Sequence, residues 1–132
     1  MFCPRLDHFV RLNQDGSVGK CGHMVNAKGF ESFEELERSE WMKGIRNTMS
    51  EDRWPDECTR CQQSERVKGE SIRTNSIARH KMLHPIRKDY LIVGGVLDNI
   101  CNSACQSCNA GLSTKIGSLE SRDYARVDNY DV

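Results

Sequence analysis

The amino-acid sequence predicts an α+β fold, in which a small cysteine-rich module of a β-hairpin and short helices precedes one strand, a cysteine loop and a helix. Three observations lead to this prediction: a turn sequence between two short apolar segments, two helix-capping patterns, and seven cysteines that divide into four and three. With 132 residues, 37% of them hydrophobic, the chain can build only a thin core. A bound metal is a common means of stabilising such a domain.

The hairpin is predicted at residues 8–21. Phe9 and Val10 lie among polar neighbours, and the turn sequence 13–16 ends in Gly16, which tolerates a positive φ. Residues 17–21 can return as the second strand. This arrangement would bring Cys3 and Cys21 near one end of the hairpin.

Two helix starts follow. Ser32 with Glu35 fits a capping box, and Ser39 offers a second N-cap. Apolar residues then recur at helical spacing and are interpreted as core, namely Trp41, Met42, Ile45 and Met49. Pro55 ends this stretch, because the residue before a proline avoids the helical region.

The second half begins with a basic, mostly polar segment at residues 67–88, interpreted as a solvated helical linker, with a substrate- or RNA-binding face as the alternative. His80 and His84 lie four residues apart and are predicted at its surface, and Pro85 should stop the helix. Residues 90–93 then predict a buried strand, which Gly94 and Gly95 interrupt, and residues 111–119 predict a helix with Leu112, Ile116 and Leu119 on one side.

Charge and cysteine content limit the classes of partner and the cellular compartment that the sequence predicts. The 19 basic and 19 acidic residues cancel, so no global electrostatic argument favours nucleic acid or a membrane surface as a partner. No segment approaches the ~20 apolar residues of a membrane span, and the first ten residues lack the apolar run of a signal peptide. An odd number of cysteines argues against a closed disulfide set. A reducing cytoplasm is therefore expected.

Three of the cysteines have the spacing C-x3-C-x2-C, at Cys101, Cys105 and Cys108. Three thiolates can bind three irons of a [4Fe–4S] cluster and leave the fourth iron open for a cofactor or substrate. The alternative is a structural zinc site, which needs a fourth ligand such as Asp98 or a distant histidine.

The other four cysteines are Cys3, Cys21, Cys58 and Cys61. The C-x2-C pair at the start of a predicted helix is a common half-site for a tetrahedral metal. Four thiolates close a site completely and fit either structural zinc or a fully ligated [4Fe–4S] cluster. His23 could replace one ligand, although a neighbouring or surface position is preferred for it.

Residues 97–105, with the form N-x-C-N-x-x-C after a strand, resemble the signature of the radical S-adenosylmethionine (radical SAM) superfamily. The resemblance implies that Cys101, Cys105 and Cys108 hold a [4Fe–4S] cluster at the first strand, loop and helix of a partial (β/α)6 barrel. The open iron would bind S-adenosylmethionine, whose cleavage gives a 5′-deoxyadenosyl radical.

The N-terminal residues are similar to SPASM or twitch auxiliary-cluster modules. The resemblance rests on Cys3-Pro4, the hairpin ending in Cys21, Ser39-x-Trp41 and Glu57-Cys58-x-x-Cys61. In some relatives, including many encoded by phages, this module precedes the radical SAM core. The resemblance implies a second [4Fe–4S] cluster, with zinc as the alternative, and a peptide or protein substrate.

The sequence is therefore divided into an auxiliary module at residues 1–66, a linker at 67–88 and the start of a radical SAM core at 89–132. The Gly-Gly-Glu stretch that the family places after the cysteine motif is absent. The chain is interpreted as the N-terminal part of a radical SAM enzyme that is not active alone. The alternatives are a small zinc- or iron–sulfur-binding adaptor without catalysis and a redox carrier.

Overall fold

The computed structural model describes residues 1–98, 106–109 and 112–120, which form a mixed α+β structure around a small three-stranded sheet. Strands β1 (Phe9–Leu12), β2 (Val18–Gly19) and β3 (Ile92–Gly95) lie in the order β2-β1-β3. The helices are α1 (Arg5–His8), α2 (Phe33–Arg38), α3 (Glu40–Ser50), α4 (Thr59–Lys68), α5 (Ile72–Leu83) and α6 (Thr114–Leu119), with a 3-10 turn at Asp56–Cys58 before α4.

The predicted hairpin is confirmed. Strands β1 and β2 are antiparallel, with Arg11 opposite Gly19 and Leu12 opposite Val18. Gly16 has a φ of 83°, and its N–H donates to the Asn13 carbonyl at 3.1 Å. A glycine closes this turn because the left-handed conformation there costs it little.

The two predicted helix starts are also confirmed. The Ser32 hydroxyl accepts from the Glu35 N–H at 3.1 Å, and the Ser39 hydroxyl accepts from the Met42 N–H at 3.1 Å. The Glu35 carboxylate accepts from the N–H of Glu31 instead of Ser32, so the return bond of the capping box is shifted by one residue. These caps satisfy N–H groups that a helix start otherwise leaves unpaired.

The core lies where the hairpin packs on α2 and α3. Leu36 and Met42 are fully buried at 0% exposure, and Trp41 is only half-buried at the core edge. The rest of the core cluster is Leu6, Val10, Leu12, Val18, Cys21, Met24, Ile45 and Met49. Most members of this core come from one hairpin and two short helices.

The prediction of a buried strand at residues 90–93 is wrong in its burial and in the role of its glycines. Strand β3 pairs with β1 in parallel, with Phe9 opposite Ile92, but it lies at the sheet edge, where Leu91 and Val93 are 47% and 53% exposed. Gly94 and Gly95 belong to the strand and do not interrupt it. They allow its backbone to approach β1 closely, since a Cβ on Gly95 would stand 2.1 Å from the Leu12 carbonyl oxygen.

The predicted polar segment at residues 67–88 contains the end of α4 and the whole of α5, which ends at Leu83, close to Pro85. His80 and His84 are partly exposed, so the prediction of a surface position holds in part. The His80 ring packs against its neighbours at centroid distances of 4.7–5.7 Å, and these neighbours are Phe2, His8, His84 and Tyr90. The cluster packs α5 against α1 and against Tyr90, two residues before β3.

The C-terminal helix forms over a shorter range than predicted. Ile116 is buried, whereas Leu119 is 64% exposed and does not share its packing. Residues 89–98 reach the sheet of the first 66 residues through β3, so the segment before the cysteine motif packs on the N-terminal hairpin. Within the described ranges, no helix combines the length and apolar character that crossing a membrane would require.

Candidate metal centre

Cys3, Cys21, Cys58 and Cys61 line one cavity, here called the cysteine cavity. Cys3 lies just before α1, Cys21 follows β2, Cys58 ends the 3-10 turn, and Cys61 lies in the first turn of α4. Residues that are up to 58 positions apart in the sequence are thus brought to the same place by the hairpin and the start of α4. That these cysteines hold a metal stays a prediction.

Backbone hydrogen bonds fix the two segments that carry Cys21 and Cys58. The Val25 N–H donates to the Glu57 carbonyl at 2.9 Å, which ties the loop after Cys21 to the residue before Cys58. The Cys58 N–H donates to the Pro55 carbonyl at 2.9 Å and closes the 3-10 turn. The first bond is long-range and holds the loop after Cys21 beside Cys58, whereas the second is local and shapes the turn that carries Cys58.

The cavity walls are apolar and affect the thiols strongly. Burial, together with a smaller effect of neighbouring thiols of the set, raises the pKa of the Cys3 thiol to about 11 and that of the Cys58 thiol to about 12. In the metal-free protein these two groups are therefore neutral at pH 7. A metal cation in the cavity would instead favour the thiolate form of both groups, because metal ligation deprotonates a thiol.

Two arginines also line the cavity. The Arg5 Nε–H donates to the Cys21 sulfur at 3.2 Å. Arg73 lowers the pKa of Cys3 and is held by a two-point ion pair with Glu65, with Nε–Oε1 at 2.8 Å and Nη2–Oε2 at 2.7 Å. Nothing in the local sequence marks these arginines, which become neighbours of the cysteines only through the fold. Their charges would offset part of the negative charge of four thiolates.

The donor set fits a thiolate-bound metal, but the side chains are not closed around one. Among the residues that the structure describes, no group of three or more His, Cys, Asp or Glu side chains is arranged to hold a metal ion. The space that a water molecule could enter measures about 20 Å³. Metal binding would therefore require the thiols to rearrange. His23 is exposed and also lines the cavity, as its predicted neighbouring position implies.

Most of the three-cysteine motif lies outside the described residues, which include neither Cys101 nor Cys105. Cys108 is half-buried, and its sulfur lies 3.7 Å from the Asn109 carbonyl oxygen. The five cysteines that the structure describes are all free of disulfide bonds. The cluster assignment for the motif stays a prediction.

Alkylation of Cys58 tests the burial of the cavity directly. The rise of its pKa from 9.0 to about 12 lowers the thiolate fraction at pH 8 by about a thousandfold. We expect iodoacetamide to modify Cys58 at least that much more slowly in the folded, metal-free protein than in urea, as followed by mass spectrometry of the peptide. Similar rates in the two states would contradict the described burial.

Comparisons of the chain with models of protein families, with curated proteins and with solved structures find no match. A functional assignment therefore depends on the chemistry and geometry of the residues themselves. The strongest feature for this purpose is the meeting of four cysteines in one cavity.

Proposed function

We propose that the chain is the N-terminal part of a radical SAM iron–sulfur enzyme that modifies a peptide or protein. In this proposal Cys101, Cys105 and Cys108 hold the cluster that binds S-adenosylmethionine, and the four residues of the cysteine cavity hold an auxiliary cluster. The proposal is carried by the cavity itself, since four thiols from separate segments meet in an apolar environment. Such a set of free thiols has few uses other than metal binding.

The position of β3 gives further support. The strand is parallel to β1, and the residues of the three-cysteine motif follow its carboxyl end in the sequence. In folds with parallel strands, reactive groups collect at this end. A half-exposed edge strand is also what the first strand of a larger sheet would present to the next one.

The described residues would serve the auxiliary site in definite ways. When bound, a cluster of this type supplies or relays single electrons. Leu6, Met24 and Met49 in the cavity wall limit water access, while Arg5 and Arg73 offset negative charge at the sulfurs. Burial and nearby charge are the levers by which a protein tunes a cluster.

A zinc-binding adaptor is the second candidate. The observation that favours it is the size of the cysteine cavity, since about 20 Å³ is closer to one ion than to an iron–sulfur cubane. Four thiolates satisfy the tetrahedral preference of zinc, with Zn–S distances of about 2.3 Å. In this reading the site would stabilise the fold and have no catalytic part.

Metal counting distinguishes the two candidates. The chain would be purified without oxygen, reconstituted with iron and sulfide, and compared with two variants, Cys58→Ala/Cys61→Ala and Cys101→Ala/Cys105→Ala/Cys108→Ala. We expect about eight irons in the parent and about four in each variant, as two [4Fe–4S] sites require. Electron paramagnetic resonance of the reduced protein should change on adding S-adenosylmethionine, except in the triple variant. About one zinc and no stable iron would overturn the proposal in favour of the adaptor.

A further inference from the structure

A second cavity lies against the cysteine cavity and shares part of its wall. Trp54 and Glu57 line both. This second space, here called the tryptophan groove, has a volume of about 380 Å³ and lies between α3 and residues 53–57. The groove is as large as a typical ligand pocket and far larger than the cysteine cavity.

Gly44 keeps one side of the groove open. It lies in the interior of α3, where glycine costs about 1 kcal/mol relative to alanine. Neither packing nor backbone conformation explains this residue, since a Cβ there would meet no atom within 4 Å and its φ is not positive. The missing side chain instead leaves room in the groove that it lines.

Both tryptophans of the chain line the groove, and both are held in place while partly exposed. The Trp41 Nε1–H donates to Glu57 Oε1 at 3.0 Å, and the Phe30 ring packs beside Trp41 with 5.9 Å between centroids. The Arg73 guanidinium lies over the Trp54 ring at 5.2 Å. Fixed aromatic rings beside open space are suited to binding a cation or a flat group, because little side-chain entropy remains to be lost.

The charges around the groove select the occupant. Glu40, Asp56 and Glu57 contribute carboxylates to the lining of the groove, and Glu40 is paired with Lys43 at 2.7 Å. Among the described lining residues Arg53 is the one cation, and it forms an ion pair with Glu51. Asp56 is exposed and has no ion pair with any residue in the described ranges. Carboxylates next to indole faces match an ammonium or guanidinium group, which both can attract at once.

We propose that the tryptophan groove binds a lysine or arginine side chain of a peptide segment. The groove is a site separate from the cysteine cavity, and its occupation requires no metal. The proposal can therefore fail while the iron–sulfur assignment holds, and the reverse is equally true.

Intrinsic fluorescence provides a site-specific test, since both tryptophans of the chain lie at the groove. The probe is a capped pentapeptide of alternating glycine and arginine, titrated into the full chain, with the glutamate counterpart as its control. We expect a saturable change with the arginine peptide that weakens as salt is raised, and no saturable change with the glutamate peptide. No saturable change with the arginine peptide at low salt would overturn the proposal.

A matched pair of variants on α3 tests the location. Gly44→Leu places a side chain in the groove, whereas Asn47→Leu adds the same side chain at an exposed position of the helix outside the groove. We expect Gly44→Leu to weaken the arginine peptide by at least about tenfold and Asn47→Leu to leave its affinity within about twofold. Both variants should keep the circular dichroism of the parent. Equal affinities in folded Gly44→Leu and the parent would overturn the assignment to this groove.

Discussion

Replacing Glu37 by alanine is expected to lower the free energy of unfolding by about 3–5 kcal/mol, because the change leaves a buried ammonium group without its partner. The Lys20 side chain is fully buried, and its Nζ donates to Glu37 Oε1 at 2.5 Å. The other oxygen of Glu37 accepts from Arg46 Nη2 at 2.5 Å. The Glu37 carboxylate thus bridges Lys20, just after β2, and Arg46 in α3. Urea unfolding at pH 7 would measure the stability that is lost when this carboxylate is removed.

The matched control is Glu34→Ala in the same helix. Glu34 pairs with Arg38 at the surface, where both side chains are mostly exposed, so its loss should cost below about 1 kcal/mol. A double variant, Lys20→Met/Glu37→Leu, removes both charges and should recover most of the stability. If Glu37→Ala were as mild as Glu34→Ala, the described burial of Lys20 would be contradicted.

The same pair makes stability depend on pH. Burial alone would raise the pKa of Glu37, but hydrogen bonds from Lys20 and Arg46 outweigh it and hold the pKa below 4.5. Burial lowers the pKa of Lys20, and the bond to Glu37 offsets part of this effect. The contribution of Glu37 is therefore complete above its unfolded pKa and disappears as the pH falls through its lower folded pKa. The penalty of Glu37→Ala should shrink accordingly in acid.

Replacing Gly95 by alanine is expected to detach β3 from β1. Gly95 has a φ of 103°, and an added Cβ would stand 2.1 Å from the Leu12 carbonyl oxygen. The backbone conformation alone costs a residue with a side chain about 1–3 kcal/mol, and the clash adds to this. The strand pairs with β1 over only four residues, so a cost of this size is large compared with the stability of the pairing.

Hydrogen exchange would measure this loss at one amide. The Val96 N–H donates to the Leu12 carbonyl at 2.9 Å, and its protection should fall at least about tenfold in Gly95→Ala. Gly44→Ala is the control, because nothing stands within 4 Å of its added Cβ, and it should keep full protection. Unchanged exchange at Val96 in Gly95→Ala would show that β3 tolerates a side chain at this position.

Local sequence patterns predicted the elements whose stabilising bonds are short-range. Ser32, Ser39 and the 13–16 turn make bonds to residues three or four positions away, so the information for them lies in one window of sequence. The helical spacing of Met42, Ile45 and Met49 predicted their burial for the same reason. The grouping of Cys3, Cys21, Cys58 and Cys61 was proposed from spacing and resemblance, and the structure brings these cysteines to one cavity.

The features that the sequence did not reveal depend on distant partners. The burial of Lys20 requires the Glu37 carboxylate, which also binds Arg46. The position of Arg73 beside the cysteines requires its hydrogen bonds to the Phe2 carbonyl oxygen and to the Glu65 carboxylate. Trp41 was interpreted as core, because helical periodicity identifies the apolar face of α3 but does not show which residues of that face lie at the edge of the core. The edge position of β3 likewise follows from which strand it pairs with, and no window of residues 90–97 contains that information.

The parallel pairing of β1 with β3 has a consequence for how the chain folds as it is synthesised. Strand β1 finds β2 within a few residues, but Phe9 meets Ile92 only about 80 residues later. At a synthesis rate of about 5–20 residues per second, one edge of β1 stays unpaired for roughly 4–16 s until β3 has been made. An unpaired strand edge can recruit a strand from another chain. The nascent protein is therefore most exposed to wrong pairing at the edge that later supports the segment leading to the three-cysteine motif.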